Sequence, residues 1–427
     1  MHGTRLWPGF GSAASARPAR PGRHVRTTRI ACPDCGTVQR VPVLQRRGKL
    51  ECCRCGNTLE RATGRSLDAA LAMSLATLIV LFPANLMTLM SLTILGMDRS
   101  SVLGSGVIGM WQEGYLLLAI GVGLQGIVLP FFRFGMLATV LASIRFDFQG
   151  PWTGRVFRWA DVLDLWAMPD VFLIGGAIGY SRVAAFLPVT IGPGGWALVA
   201  AAMFSMLTRA SLDKRSIWRM ILAPEAPEGH AVLGCTTCDL VVPVRLEGQN
   251  CPRCAARLRR RRPASVMAAL PLVVAGYLLF PVANYFPMSV QYRPGGRENL
   301  HTIASGVEQL FGAGLWPLGI LIFCTSIAIP LLKLVGLSWM MWSVHHGSDR
   351  RLVLKTRLYR AIEELGRWSN IDVFTVAIFL PLIQVGGFVS VQAGTGAPAF
   401  LGVVVLTMIA SRIFDPRLMW DSARGHA

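Results

Sequence analysis

Long apolar segments separated by short polar stretches run through this chain of 427 residues. A helix needs about 20 apolar residues to cross the hydrocarbon core of a bilayer. Eight segments meet that requirement, although the fourth and the eighth are short. The pattern predicts an all-α polytopic membrane protein with spans at residues 67–94, 114–143, 168–190, 195–212, 264–290, 311–343, 370–392 and 397–414.

The eight segments form two sets of four, because several motifs recur about 200 positions apart. The recurring pairs are Leu81-Phe82-Pro83-Ala84-Asn85 with Leu279-Phe280-Pro281-Val282-Ala283-Asn284, Ser105-Gly106-Val107 with Ser305-Gly306-Val307, Pro130-Phe131-Phe132-Arg133 with Pro330-Leu331-Leu332-Lys333, and Trp166-Ala167-Met168-Pro169-Asp170-Val171-Phe172 with Trp368-Ser369-Asn370-Ile371-Asp372-Val373-Phe374. A register that holds across four motifs indicates an internal duplication.

The cysteines predict two metal sites. Eight of the ten form four C-x-x-C pairs, and two such pairs can place four thiolates around one ion. We expect one structural Zn²⁺ in each half, with redox-active dithiols, iron or an empty site as alternatives. The predicted ligands are Cys32, Cys35, Cys52 and Cys55 in the first ribbon, and Cys235, Cys238, Cys251 and Cys254 in the second.

The two ribbons differ in detail. Gly36 and Gly56 follow cysteine pairs in the first ribbon and suit the left-handed backbone of a zinc knuckle. The second ribbon has Asp239 and Ala255 there, which predicts less ideal knuckles. Cys53 is either a spare thiol or an extra ligand. A ribbon this short cannot build a core, so zinc would supply about 10 kcal/mol of its folding free energy.

These features divide the chain into seven parts. We predict a disordered basic tail at 1–29, a ribbon at 30–62, a four-helix unit at 63–215, a linker at 216–230, a second ribbon at 231–260, a second four-helix unit at 261–418 and a tail at 419–427. The first tail would either lie against anionic headgroups or have no role.

Charge predicts the orientation. Only 15% of the residues are charged and 53% are hydrophobic, with a mean hydropathy of +0.48 and a net charge of +19. The arginines flank apolar segments, as at 259–262 and 350–360, instead of forming a stripe that would suit nucleic acid. Both termini and both ribbons are therefore expected in the cytoplasm. The basic connectors 145–165 and 345–367 predict amphipathic helices at the interface.

Several polar residues fall inside the predicted spans, where an ionisable group costs roughly 2.5–3.5 kcal/mol. One interpretation is that Asp170 and Asp372 cap helix N-termini and that Lys333 extends its ammonium group to the membrane surface. The alternative hypothesis is that these residues form a transport cluster in the interior of the helix bundle, where protonation would be coupled to conformational change. The candidates are Lys333, Asp372, Asp170, Ser326 and Thr407.

Four further residues are candidates for lining a cavity. Asn85 and Asn284 follow prolines late in the first span of each half, where they either satisfy a freed carbonyl or face a substrate. Arg182 and Gln384 occupy matching positions nearer the outer face. The G-x-G-x-x-G pattern at 121–126 lies inside a span, no P-loop is present, and the sequence offers no argument for an enzyme.

Taken together, these motifs resemble those of the paraquat-inducible protein A family, including its LetA-type members, over about residues 30 to 420. The resemblance implies an inner-membrane subunit of a Gram-negative system that passes phospholipids to a periplasmic tunnel of tandem MCE domains. It also implies that the eight named cysteines bind zinc and that the five polar positions are functional. Pro169 beside Asp170 and the missing glycines of the second ribbon depart from that pattern.

We therefore expect a lipid transporter whose two units enclose a cavity open to the periplasm. Because the sequence has no nucleotide-binding motif, the energy for transport must come from an ion gradient, a partner or the lipid gradient. Of these, we favour a proton gradient. The alternatives are an anchor that docks the MCE tunnel without transport and a zinc or redox stress sensor.

Overall fold

Both halves of the chain contain the same order of elements, which confirms the duplication. The computed structural model describes residues 27–42, 48–62, 66–94, 97–184, 188–221, 231–262, 264–293, 297–312, 314–382 and 390–423. The fold is mainly helical, and small antiparallel sheets lie at both ends of the helices.

The first half begins with a ribbon of four strands and continues through eight helices and three more strands. Its elements are β1 (Thr27–Ala31), β2 (Val38–Pro42), β3 (Gly48–Glu51), β4 (Thr58–Ala62), α1 (Leu67–Leu86), β5 (Met90–Ile94), β6 (Met97–Ser101), α2 (Ser105–Gln112), α3 (Leu116–Gly123), a π-helical turn (Leu124–Val128), α4 (Leu129–Arg145), α5 (Thr153–Leu163), α6 (Pro169–Ala184), β7 (Val189–Ile191), α7 (Pro193–Ser211) and α8 (Lys214–Met220).

The second half repeats this order with a smaller ribbon. Its elements are β8 (Val232–Gly234), β9 (Val241–Pro243), a 3-10 turn (Val244–Leu246), α9 (Ser265–Tyr285), β10 (Ser289–Arg293), β11 (Arg297–His301), α10 (Ile303–Gly312), α11 (Trp316–Phe323), a π-helical turn (Cys324–Ala328), α12 (Ile329–His345), α13 (Leu352–Leu365), a 3-10 turn (Gly366–Asn370), α14 (Ile371–Leu382), β12 (Ser390–Ala393), α15 (Gly396–Ile413) and α16 (Arg417–Ser422).

Five helical segments in the described ranges are long and apolar enough to cross a membrane. They are Leu67–Leu86, Leu116–Arg145, Ser265–Tyr285, Trp316–His345 and Gly396–Ile413. The pair α7 and α8 makes a sixth if it is one span bent by 63°. Since α6 and α14 have 16 and 12 residues, they are short for a span, and the count of eight remains a prediction.

The first span of each half is shorter than predicted, because the chain turns into a sheet. Helix α1 ends at Leu86, and β5 then pairs with β6 and with β7. Strand β7 directly precedes α7, the last long helix of the first half. Strand β10 pairs in the same way with β11 and β12. Each sheet therefore joins the end of the first span to the start of the last one. Neither sheet is predicted from the sequence, because β5 continues the apolar pattern of α1 while the other strands fall in polar loops or at the ends of predicted spans.

A π-helical turn interrupts the second span of each half just before a proline. Pro130 and Pro330 lie at the start of α4 and α12 and have no N–H to donate to the preceding turn. Such turns are frequent at functional sites because they change which side chains face inward. Here they place Gln125 and Ser326 in the protein interior.

Helices α6 and α14 form a central contact between the two halves. The rings of Phe172 and Phe374 lie 5.0 Å apart between centroids. The hydroxyl of Thr375 donates to the carbonyl oxygen of Gly175 at 3.2 Å. A Cβ on Gly175 would lie 3.0 Å from the carbonyl oxygen of Ile371, so a larger residue would have to push the two helices slightly apart. The third helices of the two repeats are thus central to the molecule.

Three predicted boundaries differ from the structure. Strand β1 starts at Thr27, inside the predicted tail, because it pairs with β2. Helix α8 crosses the predicted boundary between unit and linker at 215/216. Helix α16 occupies most of the predicted final tail, where Trp420 is buried against the first ribbon. Each misplaced residue contacts an element that is distant in sequence.

The ribbons dock crosswise onto the helices. In the first ribbon, Asp34 accepts a hydrogen bond from Arg360 of α13 at 2.8 Å, and Arg54 stacks on Trp420 of α16. The second ribbon instead shares a core with α5 and α8 of the first half, including Phe157 and Trp218. Each ribbon therefore packs on the helical unit of the half that contains the other ribbon, and the first ribbon also contacts α8 of its own half through Glu60 and Arg219.

This crossed support predicts that Trp420→Ala will weaken the first ribbon more than the second. Truncation of a buried Trp to Ala costs about 3–5 kcal/mol, and here the lost contacts are with Arg54 and its neighbours. Hydrogen exchange should increase most at residues 27–62. The matched variant Trp218→Ala should act mainly on residues 231–262. If Trp420→Ala increased exchange mainly at residues 231–262 and Trp218→Ala mainly at residues 27–62, the crossed arrangement would be ruled out.

Candidate metal centres and intramembrane polar cluster

Each ribbon brings four buried cysteine sulfurs together. In the first, Cys32 Sγ lies 3.5 Å from Cys55 Sγ, and Cys35 Sγ lies 3.6 Å from Cys52 Sγ. All four sulfurs are within 4.8 Å of one another, and the four predicted ligands of the second ribbon satisfy the same limit. A tetrahedron with Zn–S bonds of about 2.3 Å has sulfurs about 3.8 Å apart. The two clusters therefore fit a tetrahedral thiolate-bound metal such as zinc.

The second ribbon has two 3.6 Å sulfur pairs, Cys235 with Cys254 and Cys238 with Cys251. The knuckle positions adopt the left-handed conformation in both ribbons, although only the first uses glycine. The φ values are +70° and +66° at Gly36 and Gly56, and 56° and 55° at Asp239 and Ala255. The second ribbon thus keeps the geometry with residues that disfavour it, most clearly at Ala255.

Two acidic residues beside the clusters are held by arginines of the helices. Burial raises the pKa of Asp34 to about 6, against the opposing effect of Arg360. Burial also raises the pKa of Asp239, whose carboxylate lies 2.5 Å from Arg215 Nη2. The same ion pair gives Asp239 a partner that offsets part of the cost of its backbone conformation.

The structure separates Cys53 from the metal cluster. Its side chain is exposed, whereas the four ligands around it are buried. Cys324 is half-buried in the π-helical turn of the second half, as expected for a packing residue.

In the second half the predicted polar residues are buried and form two contacts. Lys333 is 1% exposed, and its Nζ donates to the hydroxyl of Thr407 and to the carbonyl oxygen of Gly366, both at 3.2 Å. The hydroxyl of Ser326 donates to the carboxylate of Asp372. Asp372 lies in the first turn of α14 and is also buried. The π-helical turn Cys324–Ala328 and helices α12, α14 and α15 thus bring these four residues inside the protein.

In the first half, Asp170 belongs to a network of ion pairs. Its carboxylate lies 2.6 Å from Arg209 Nη1 of α7 and 3.8 Å from Arg367 Nη1 of the second half. Arg209 also pairs with Asp164, which in turn binds Arg133 Nη2 at 2.5 Å. The Arg367 contact links this network to the segment that contacts Lys333.

The network continues to the ribbon side of the helices. Lys214 lies 2.5 Å from Asp161 and 3.3 Å from Asp164. Asp161, Arg209 and Lys214 line a cavity of about 370 Å³ between the ribbons and the elbow that joins α7 to α8. The first-half network is therefore connected to a polar space at the ribbon end.

Of the four residues predicted to line a cavity, the structure describes the side chains of the two asparagines. The amides of Asn85 and Asn284 donate to the carbonyl oxygens of Leu81 and Phe280, one helical turn earlier, at 2.7 and 2.8 Å. The carbonyls that Pro83 and Pro281 free belong to Ile79 and Tyr277, so neither amide bonds the carbonyl that its proline leaves without a donor. The side chain of Arg182 and the whole of Gln384 lie outside the described residues.

Comparison with known proteins agrees with this duplicated architecture. The family model for paraquat-inducible protein A matches residues 67–221 and 266–424, one match on each half. This chain belongs to the paraquat-inducible protein A family. The matches cover the helical units and leave both ribbons outside.

Curated relatives of the paraquat-inducible protein A family align over nearly the whole chain. Intermembrane transport protein PqiA of Escherichia coli K12 is 28% identical over 93% of this chain and 97% of its own length. Lipophilic envelope-spanning tunnel protein A of the same strain is 26% identical over 92% and 91%. A probable intermembrane transport protein of Haemophilus influenzae is 25% identical over 92% and 95%. No solved structure gives a significant match.

For this paraquat-inducible protein A family member, sequence reasoning missed the ion-pair partners of Asp170. Arg209 lies in the last turn of α7, and its sequence position does not distinguish it from other arginines at span ends. Asp164 was part of a connector. Gln125, buried in the first π-helical turn, was also missed. The repeat could have revealed Asp164, because its partner Arg133 is the counterpart of Lys333.

The backbone of the second ribbon generates a stability prediction. Ala255→Gly should stabilise metal binding by about 1 kcal/mol, because glycine removes the Cβ strain of the left-handed conformation. Zinc retention against a competing chelator would measure this change. Ala256→Gly is the control, and it should be neutral or slightly destabilising. If the two variants lose zinc equally fast, the strain at Ala255 is not real.

Proposed function

We propose that this chain is the inner-membrane subunit of a bacterial system that passes phospholipids to a periplasmic tunnel of MCE domains. It would act by transport and not by catalysing a chemical reaction. The observation that supports this most is the alignment over 93% of the chain to a relative named as an intermembrane transport protein. The printed name of a second relative, an envelope-spanning tunnel protein, supports the same setting.

In this proposal the ribbon end faces the cytoplasm and the two three-stranded sheets face the periplasm. The cysteine clusters need a reducing compartment to stay as thiolates. Arginines 259–262 directly precede α9, and arginines 350, 351, 357 and 360 lie in or before α13 at the same end. Positive charge at one end of the spans is the usual mark of the cytoplasmic side.

The ribbons would hold one structural zinc ion each. Bound zinc would supply the cross-link between the two halves of each ribbon, which is too small to fold on apolar packing alone. Through Arg360 and Arg215, the folded ribbons would fix the cytoplasmic ends of both helical units.

Energy would come from proton movement that depends on the polar cluster, defined as Lys333, Asp372, Asp170, Ser326 and Thr407. These groups are buried close to the junction of the halves, where relative movement of α6 and α14 would change their surroundings. The polar space beside Arg209 offers a route to the cytoplasm. A membrane anchor with no transport role has no need for buried charges at this position.

Lipid exchange from proteoliposomes that contain the co-reconstituted MCE partner tests this proposal. Lys333→Ala and Asp372→Asn should each lower pH-gradient-driven exchange by about 10²-fold, the usual contribution of a positioned proton-transfer group. Arg145→Ala is the control, since its pair with Asp68 is more than half exposed and contributes little.

Exchange at the wild-type rate in both cluster variants would exclude proton coupling. If the wild type itself exchanges no lipid, the chain is a tethering subunit.

A further inference from the structure

The two halves surround equivalent basic residues with different partners. Arg133 and Lys333 both lie three residues after the proline that follows a π-helical turn. Both side chains are almost completely buried. The repeat therefore places a basic side chain at the same point in each unit, and any difference arises from its neighbours.

In the first half that neighbourhood is a network of ion pairs. Two guanidinium groups, Arg133 and Arg209, alternate with two carboxylates, Asp164 and Asp170. Lys214 and Arg367 pair with the same two carboxylates. A guanidinium stays protonated in proteins, so this set cannot change its charge by losing a proton from arginine.

In the second half a glycine replaces the carboxylate that binds Arg133. Trp166 and Trp368 are equivalent and lie 202 positions apart, so Asp164 corresponds to Gly366. Lys333 donates to the backbone carbonyl of Gly366 at 3.2 Å. A Cβ at Gly366 would lie only 3.0 Å from Lys333 Cε and 3.2 Å from its Nζ. The ammonium group thus packs against the point where the first half carries its aspartate.

The position equivalent to Arg209 also differs. Trp218 and Trp420 are 202 positions apart, so Arg209 corresponds to Ser411, and Ser205 to Thr407. Among the described residues, Lys333 makes no ion pair, and its recorded partners are a hydroxyl and a carbonyl. An ammonium buried with neutral partners is costly to keep charged, whereas the paired arginine is not.

The charged groups on the elements around Lys333 have other partners or are exposed. Glu363 faces Arg412 at 3.3 Å, Arg367 faces Asp170, and Asp372 accepts from Ser326. On α13, Arg360 binds Asp34 and Lys355 binds Ser343, while Arg357 and Glu364 are exposed. On α16, Arg417 binds Asp415 and Asp421 binds Arg261. Tyr359 donates to the carbonyl of Ser411.

We propose that the halves have divided roles, with the first-half ion pairs as a fixed support and Lys333 as the proton carrier. Gly366 is the positioning residue that keeps a carboxylate away from Lys333. The carrier step is a plain proton transfer: the Lys333 ammonium releases H⁺ to water on one side and takes up H⁺ from water on the other. This inference rests on the proposed function.

The decisive variant is Gly366→Asp, which restores the first-half pattern in the second half. The new carboxylate would hold Lys333 in the charged state, and lipid exchange should fall about 10²-fold. The pH dependence of the residual exchange should disappear, while thermal stability is retained or increased. Gly366→Ala controls for the size of the added side chain and should lose much less exchange.

A reciprocal exchange of the two basic residues avoids dependence on one variant. Lys333→Arg keeps the charge but not the ability to release a proton, so exchange should be lost. Arg133→Lys keeps an ion pair with Asp164 and should transport at nearly the wild-type rate. If Lys333→Arg transports normally, or if Arg133→Lys is as defective as Lys333→Arg at equal protein level, the division of roles is wrong.

The outcomes also separate this inference from the proposed function. If Lys333→Ala abolishes exchange while Gly366→Asp leaves its rate and pH profile unchanged, transport stands and the role of Gly366 falls. Absence of exchange in the wild type would refute the transport function itself.

Discussion

The cost of placing charge inside apolar helices controls the arrangement of this protein. A buried charge must be paired, hydrogen-bonded or free to neutralise, because the surroundings cannot solvate it. The first half pairs its charges through Asp164 and Arg209. The second half gives Lys333 only neutral partners among the described residues. Helices α6 and α14 meet close to both sets of charges. The buried charges, which depend most on their surroundings, therefore lie where the halves can move against each other.

The ribbons extend that constraint across the whole chain. The first ribbon precedes the first unit in sequence but binds Arg360 and Trp420 of the second unit. The second ribbon follows the first unit and packs on it. The chain therefore closes on itself, since the first ribbon returns noncovalently to the last helix. Metal-dependent folding of that ribbon would link the arrangement of the two units to zinc.

Local patterns predicted the parts of the structure that are repeated or chemically unusual. The duplication, the eight clustered cysteines and the burial of Lys333 all follow from spacing and hydropathy. The sheets were not predicted because β5 continues the apolar pattern of α1, while β6 and β11 carry charged residues typical of loops. The crossed contact between Asp34 and Arg360 joins residues more than 300 positions apart, and no local pattern carries that information. Arg209 looked like any other arginine at the end of a span.

Covalent duplication is what permits the two halves to differ. A symmetric dimer of one unit would carry the same residue at both equivalent positions, so an aspartate opposite one basic group would also stand opposite the other. In a fused chain, Asp164 and Gly366 can diverge independently. One copy can then keep the ion pairs that stabilise its helices while the other gives up that stability. Such a loss of stability is useful only where the unpaired group has a function, and Lys333, whose described partners inside the helices are a hydroxyl and a carbonyl, meets that condition.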